Sequence, residues 1–159
     1  MIAIRNYNDT KNELEVAQLR LNYLLDKKED LYVKYCGMTI PKLDDVRVQT
    51  STVNKDTMAK YMEELTKINP NTGLSLDQEI EQQYNVVSKL KYYLNLMDYN
   101  LKNMKALEYK LYYFIVIDGR GITSGVNHLA NVTNKDPRTI WKYYYPKIEK
   151  EIKKLEYVH

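Results

Sequence analysis

The chain has 159 residues, of which 44% are hydrophobic and 28% are charged, and its formal net charge is +3. This composition is typical of a folded soluble protein with one domain or two small ones. No apolar run approaches the roughly 18 residues of a membrane span, and residues 1–7 do not resemble a signal peptide, so we expect no membrane partner. The single Cys36 excludes an internal disulfide and suits a reducing cytoplasm. With one cysteine and two histidines, we predict neither a metal site nor a cofactor.

The positive charge is concentrated in the last third of the chain. Residues 105–159 hold ten Lys or Arg and six Asp or Glu, a net charge of +4. Residues 1–104 hold fourteen and fifteen, a net charge of −1. A basic surface helps a protein to approach the phosphates of nucleic acid. We therefore predict two regions, 1–104 for dimerisation or partner binding and 105–159 for DNA binding.

The first hundred residues predict an all-α fold built on two long helices. Residues 1–8 have no clear period, and we expect a flexible arm there. Thr10 and Glu13 have the spacing of a capping box, which predicts the start of a helix of roughly 25 residues, or about 38 Å. Gly37 ends this helix, and the irregular residues 37–55 are predicted to form a loop.

A short helix and the second long helix follow. Asp56 is placed to cap the short helix, and residues 69–73 form a dense turn cluster after it. Ser75 and Gln78 make a second capping box, from which the long helix is predicted to run to about Lys102. The apolar stripe of the short helix consists of Met58, Tyr61, Met62, Leu65 and Ile68.

Both long helices carry apolar residues at spacings of three and four, a pattern that needs a partner helix. Two arrangements satisfy it, and the sequence leaves both open. One is an antiparallel hairpin within the chain, and the other is a coiled-coil homodimer. The residues predicted to form the dimer or partner interface are Leu14, Leu21, Leu24, Leu31, Leu90, Leu94, Met97 and Leu101.

The last third of the chain begins with a supporting helix. Residues 105–117 are apolar on most of their circumference, so we expect this helix to be buried. Residues 118–121 close it. Thr123 or Ser124 is then predicted to cap the next helix, 125–131.

Two more helices are predicted after a turn. The first is 137–145, and Pro146 is expected to break the chain there. Tyr143 is expected in the core and Tyr145 outward. The last helix is predicted over 147–157. Its apolar stripe consists of Ile148, Ile152 and Leu155.

The residues around Asn134 predict a helix–turn–helix motif. Ala130 is small where two helices would cross, and Asn134 tolerates the positive φ of a tight turn. Asp136 is suited to cap the second helix, and Pro137 fits its first position. Ile140 would point back onto the first helix. In DNA readers of this kind, residues near the start of the second helix meet base edges in the major groove.

Arg138 and Lys142 lie four residues apart, so they share one face of the second helix. Arginine suits guanine and lysine suits a base or a phosphate, whereas the plain alternative is a solvated surface. Trp141 could lie against a thymine methyl group or the DNA backbone, or pack against the last helix. The residues predicted to contact double-stranded DNA are Thr123, Ser124, Lys135, Pro137, Arg138, Thr139, Trp141, Lys142, Tyr145 and Lys147.

The segment 105–155 resembles region four of bacterial sigma factors and its phage relatives. The residues that carry this resemblance are Leu129, Ala130, Asn134, Asp136, Thr139, Ile140, Lys142 and 148–152. The whole chain resembles the RinA/ArpU-like late-transcription regulators of phages of Gram-positive bacteria, through its long helix 10–36, the loop 38–41 and the Met58–Ala59 pair. The resemblance implies an activator of phage or mobile-element transcription that binds promoter DNA in the bacterial cytoplasm, with RNA polymerase as a further partner.

Two features depart from that pattern. Thr133 and Lys135 occupy turn positions where such motifs place buried aliphatic residues, and Pro146 interrupts a helix that is often continuous. Either departure is consistent with a looser DNA reader that depends on a partner. Together with the weak net charge, they also leave open a second hypothesis, a protein-interaction module that binds RNA polymerase or another regulator without reading DNA. We do not expect an enzyme, because the chain has no glycine-rich phosphate loop, His-Glu-x-x-His, Cys-x-x-Cys or nucleophile elbow.

Overall fold

The structure is a computed structural model that describes residues 2–37 and 55–158, and it confirms the all-α prediction. Most of the predicted loop 37–55 lies outside the described residues. None of the described helices combines the length and the apolar composition that crossing a membrane requires. In the described part of the chain, the helices are α1 (Tyr7–Cys36), α2 (Lys55–Thr66), α3 (Leu76–Asn103), α4 (Ala106–Tyr112), α5 (Ile122–Thr133), α6 (Pro137–Tyr143) and α7 (Tyr145–Lys153), and the strands are β1 (Ile2–Ile4) and β2 (Glu156–Val158).

The chain forms two compact units. The middle unit consists of Ala17–Val86, and the terminal unit consists of Met1–Val16 together with Val87–His159. The boundaries between them fall within α1 and α3. The predicted division at residue 104 therefore lies inside the terminal unit, because the first residues of the chain and the end of α3 belong with its last third.

The N-terminal residues are a strand where we expected a flexible arm. β1 pairs antiparallel with β2, with Ala3 opposite Tyr157, and the backbone N–H of Arg5 donates to the carbonyl of Leu155 at 3.0 Å. The predicted final helix through residue 157 is also wrong. Helix α7 ends at Lys153, and Glu156–Val158 form β2. Strand pairing between the two ends of a chain leaves no local periodicity that a sequence pattern would reveal.

Helix α1 begins before the predicted capping box. The side chain of Asn6 caps it, because Asn6 Oδ1 accepts the backbone N–H of Asp9 at 2.8 Å and Asn6 Nδ2 donates to Asp9 Oδ2 at 2.6 Å. Thr10 lies within the first turns, where its hydroxyl donates to the carbonyl of Asn6 at 2.7 Å. The predicted capping box at Thr10 and Glu13 is therefore wrong, because the helix begins about one turn earlier. The helix ends at Cys36, directly before Gly37, as predicted.

The second predicted capping box is confirmed. The backbone N–H of Ser75 donates to Gln78 Oε1 at 2.9 Å, and the backbone N–H of Gln78 donates to Ser75 Oγ at 3.4 Å. Both donors would otherwise be unpaired at the start of α3. This reciprocal pairing depends on two residues three positions apart, which is why a local pattern predicts it correctly.

Four of the predicted interface residues of α1 and α3 are buried within the chain itself. Leu21 and Leu24 are buried in the middle unit, and Leu90 and Met97 are buried in the terminal unit. A side chain buried within its own chain has little surface left for a second copy, so the interface prediction is wrong for these four residues. The other four predicted interface residues are half-buried: Leu14, Leu31, Leu94 and Leu101.

The predicted stripe of α2 divides in the structure. Tyr61 and Leu65 are buried in the middle unit, whereas Met58, Met62 and Ile68 are exposed. Helix α2 starts at Lys55, one residue before the predicted cap. The buried pair lies four residues apart on one narrow face, so α2 packs along a narrower line than its apolar pattern predicted.

The terminal unit has one continuous apolar core around α4 and α5. After α4, residues Tyr113–Ile117 form a π-helical turn, which replaces the predicted uninterrupted helix. The fully or almost fully buried residues of this core are Met97, Leu111, Tyr112, Ile115, Val116, Val126, Leu129, Ala130, Ile140, Ile148, Ile152 and Leu155. The predicted stripe of the last helix, Ile148, Ile152 and Leu155, is thus buried as expected, and α6 is held against the core through Ile140.

Candidate nucleic-acid interface

Helix α5 starts earlier than predicted and without a side-chain cap. Gly121 is its N-cap residue, with a φ of 76° that favours glycine. Thr123 and Ser124 therefore lie inside the first turn and are exposed, so the prediction that one of them caps the helix is wrong. Their hydroxyls remain on the surface of the terminal unit near the start of α5.

Gly125 sets how closely α5 packs against the π-helical turn. A Cβ at this position would lie 2.6 Å from Cγ1 of Ile115 and 3.5 Å from its backbone nitrogen. Both residues are buried. The absence of a side chain at Gly125 therefore lets α5 approach the supporting helix, and so positions the turn and helix that follow.

The turn after α5 has the predicted left-handed residue. Asn134 has φ 51° and ψ 38°, in the region that asparagine tolerates better than most residues. The backbone N–H of Lys135 donates to the carbonyl of Ala130 at 3.0 Å, and the hydroxyl of Thr133 donates to the carbonyl of Leu129 at 2.7 Å. Thr133 is thus accommodated by a hydrogen bond within α5 where an aliphatic residue would have been buried.

The start of α6 is also as predicted. Asp136 is extended, with φ −62° and ψ 132°, and its carboxylate accepts the backbone N–H of Arg138 at 2.7 Å. Pro137 occupies the first position, where its missing N–H costs no hydrogen bond. Ile140 is completely buried. These contacts fix which side of α6 faces the core and which side faces solvent.

The outward face of α6 carries two cations and an indole. Arg138, Trp141 and Lys142 are all exposed, at spacings of three and four that place them on one side of the helix. The Trp141 ring lies 4.9 Å from the ring of Tyr145, tilted by 59°. Of the other predicted contacts here, Lys135 and Pro137 are exposed and Thr139 is half-buried.

The expected orientations of two tyrosines are reversed. Tyr143 is 56% exposed, whereas Tyr145 is half-buried and packs against the core. Burial raises the pKa of Tyr145, and the nearby Glu149 and Glu156 carboxylates add to the effect. The chain changes direction at Tyr144, which has φ −108° and separates α6 from α7, so a helical period counted from Ile140 does not carry through to Tyr145.

Lys147 has a partner within the protein. Its Nζ lies 2.7 Å from Glu108 Oε1, an ion pair that joins α7 to α4, and this hydrogen bond raises the pKa of Lys147. The sequence predicts a contact between Lys147 and DNA, and the structure adds an ion pair within the protein at this exposed side chain. Glu108 lies 39 positions away, so no local spacing indicates the pair.

The unpaired positive charge of the last third lies mainly on the turn, α6 and α7. Three further cations are paired, Arg120 with Asp118, Lys153 with Glu149 and Lys154 with Glu151. The basic residues of this segment that make no ion pair with any described residue are Lys105, Lys110, Lys135, Arg138, Lys142 and Lys150. Lys105 and Lys110 were not predicted to contact DNA. The only sequence signal that includes them is the count of positive charges in residues 105–159.

Two other features of the described residues bear on the kind of site. Among residues 2–37 and 55–158, no group of three or more His, Cys, Asp or Glu side chains is placed to hold a metal ion. His128 is half-buried, with its ring 4.5 Å from that of Phe114 in an edge-on contact. This histidine therefore packs against the supporting helix rather than facing the exposed side of α6.

No family model, no curated protein and no solved structure matches the chain.

Proposed function

We propose that the chain is a transcription regulator, an activator encoded by a phage or mobile element, that binds promoter DNA in the cytoplasm of a bacterial host. In this proposal α5, the turn at Asn134 and α6 form a helix–turn–helix motif. One observation carries it. The exposed face of α6 presents Arg138, Trp141 and Lys142, while the opposite side is fixed on the core by Ile140.

The charges on this face support nucleic acid as the ligand. Neither Arg138 nor Lys142 is neutralised by a carboxylate of the described residues, whereas four other cations of the same segment are. The nearest acidic residue along the chain, Asp136, accepts the backbone N–H of Arg138. An exposed pair of free cations on a rigidly held helix is suited to the acceptors of the major groove.

The roles follow from the usual docking of such motifs. Helix α6 would enter the major groove with Arg138 near its start, where a guanidinium binds O6 and N7 of guanine. Lys142 and Lys135 would contact a base or the phosphates on either side. Helix α5 would cross the backbone, with Thr123 and Ser124 as further donors to phosphate. Phosphate contacts would set the register, and Arg138 would supply sequence preference.

The test is a binding titration with fluorescently labelled duplexes. Promoter fragments from the genetic element that encodes the protein are titrated with it from low to physiological salt, in excess random duplex. Arg138→Ala is expected to lose about tenfold or more in affinity for its specific site, the cost of one bidentate base contact. Lys102→Ala removes an exposed cation from α3 instead, so it controls for the loss of one charge.

The two variants separate the possible outcomes. Equal, small losses for Arg138→Ala and Lys102→Ala would mean that α6 does not read bases. If the random duplex displaces the promoter fragment as well as unlabelled promoter fragment does, the terminal unit binds DNA only through its basic surface.

A second candidate function has an observation of its own. In the middle unit, Met58, Met62 and Ile68 are exposed although their spacing predicts a packed stripe. Methionine-rich exposed surfaces are common at protein interfaces, so the middle unit could bind RNA polymerase or another regulator. Reconstitution with RNA polymerase and no promoter DNA tests this. A stable complex that Met58→Ser and Met62→Ser weaken, in a protein without specific duplex affinity, would favour this function over the first.

A further inference from the structure

Trp141 is the only tryptophan of the chain, and it lies exposed on the same side of α6 as Arg138 and Lys142, which make no ion pair with any described residue. It is 39% exposed, and its neighbours on the same face are Arg138 and Lys142. The exposed part of the indole offers apolar contact area, and the neighbouring cations offer positive charge. Together they suit a partner that carries negative charge close to an apolar group.

The indole is held in place by the rest of the protein. The Tyr145 ring packs against it at 4.9 Å, and Tyr145 itself is half-buried against the core of the terminal unit. Trp141 therefore has a supported position instead of being free to fold back onto α6. Lys142 is directed elsewhere, with its Nζ 5.3 Å from the centre of the Tyr143 ring, so it does not cover the indole.

We propose that Trp141 is a specificity-determining residue that packs against the 5-methyl group of a thymine in the major groove. This inference rests on the proposed function. The phosphates supply the negative charge, and the thymine methyl is the one apolar group that the four bases present on that edge. Trp141 lies three residues after Arg138, about 4.5 Å along the helix axis. The thymine is therefore expected within one or two base pairs of the guanine that Arg138 binds.

The experiment removes one methyl group at a time. The protein first selects its preferred duplex from a random pool. Each thymine of that duplex is then replaced by deoxyuridine, which differs only in lacking the 5-methyl group, and the affinity of each duplex is measured. Wild type is expected to lose about fourfold at one thymine within one or two base pairs of a guanine, the factor for burying one methyl group.

Two variants connect that thymine to Trp141. Trp141→Ala is expected to bind the selected duplex more weakly and to show no further loss with deoxyuridine at that position. Tyr143→Ala, which removes the exposed aromatic ring next along the chain, should keep the fourfold loss. Because Trp141 is the only tryptophan, its fluorescence should also change on binding the selected duplex.

Failure of this inference can be told from failure of the proposed function. A selected duplex whose affinity is unaffected by deoxyuridine at every thymine overturns the role of Trp141 and leaves DNA reading intact. The same holds if Trp141→Ala retains the fourfold loss. A selection that yields no preferred duplex overturns both proposals, and the indole would then be the surface at which a protein partner binds.

Discussion

The guanidinium carbon of Arg5 lies 4.6 Å from the centre of the Tyr157 ring, so residues near the two ends of the chain are in contact. The same group lies 5.0 Å from the Tyr93 ring of α3, and its Nη1 is 2.9 Å from Glu13 Oε2. Arg5 thus joins β1 to β2, α1 and α3 within the terminal unit. We infer that the first residues of the chain are part of the fold that supports the candidate DNA-reading helix.

Replacing Arg5 with alanine is expected to lower the free energy of unfolding by about 1–2 kcal/mol, from the loss of the two cation–π contacts and a partly shielded ion pair. Urea unfolding measures it. Lys11→Ala, at an exposed position of α1, is the control and should change stability little. Equal stability of the two variants would show that Arg5 does not hold the terminal strands.

Replacing Gly125 with alanine is expected to destabilise the terminal unit by about 1–3 kcal/mol, because the new Cβ would overlap Ile115. The better helix propensity of alanine offsets part of this cost. The decisive measurement is a double-mutant cycle with Ile115→Ala, which removes the overlapping Cγ1. The two costs should sum to more than the cost of the double variant. Strict additivity would mean that the close approach of α5 is not limited by this contact.

Replacing Asn134 with valine is expected to cost about 1–2 kcal/mol, since a β-branched residue adopts its φ of 51° poorly. Asn134→Gly should stay within about 1 kcal/mol of wild type, because glycine has no Cβ to strain but loses more entropy on folding. Thermal unfolding compares the two. The valine variant should also lose specific DNA binding, as the turn sets the direction of α6. A valine variant as stable as the glycine variant would contradict the left-handed turn.

The stability of the protein is expected to fall at high pH in part through Tyr112. Burial raises the pKa of Tyr112 to about 12, although the hydrogen bond from Asn100 Nδ2 at 3.1 Å lowers it. The unfolded chain releases this proton near the ordinary pKa of 10. Between the two values the folded state therefore holds more protons than the unfolded state, and stability decreases as the pH rises.

The size of that loss separates Tyr112 from the other tyrosines. Between about pH 9 and pH 12 the wild type should lose roughly 2 kcal/mol more than Tyr112→Phe. At about pH 9 the free energy of unfolding of Tyr112→Phe is expected to be lower than that of the wild type, since the amide of Asn100 loses its buried hydrogen-bond partner. Urea unfolding across this pH range provides the comparison. Parallel curves for the two proteins would mean that Tyr112 ionises equally in both states.

Sequence patterns predicted several local features correctly, although the caps expected at Thr10 and at Thr123 or Ser124 were wrong. The break expected at Pro146 falls two residues earlier, at Tyr144, and Pro146 lies in the first turn of α7. The Ser75–Gln78 box, the left-handed Asn134 and the Asp136 cap with Pro137 each depend on residues within about four positions. Over that distance the backbone geometry is the same in any fold. The exposed positions of Arg138, Trp141 and Lys142 followed from the same periodicity once Ile140 was assigned to the core.

The tertiary structure determined the contacts between residues that are far apart in the sequence. The pairing of β1 with β2, the ion pair between Lys147 and Glu108, and the contact of Gly125 with Ile115 all join residues at least ten positions apart. By their spacing, the leucines of α1 and α3 fit a coiled-coil dimer and a hairpin within one chain equally well. An apolar stripe shows only that the helix needs a partner to pack against. The sequence by itself determined an all-α chain with a capped turn and a basic final third. Only the packing determined which leucines are buried within the chain, which lysines are free, and that Tyr145 supports Trp141 at the surface.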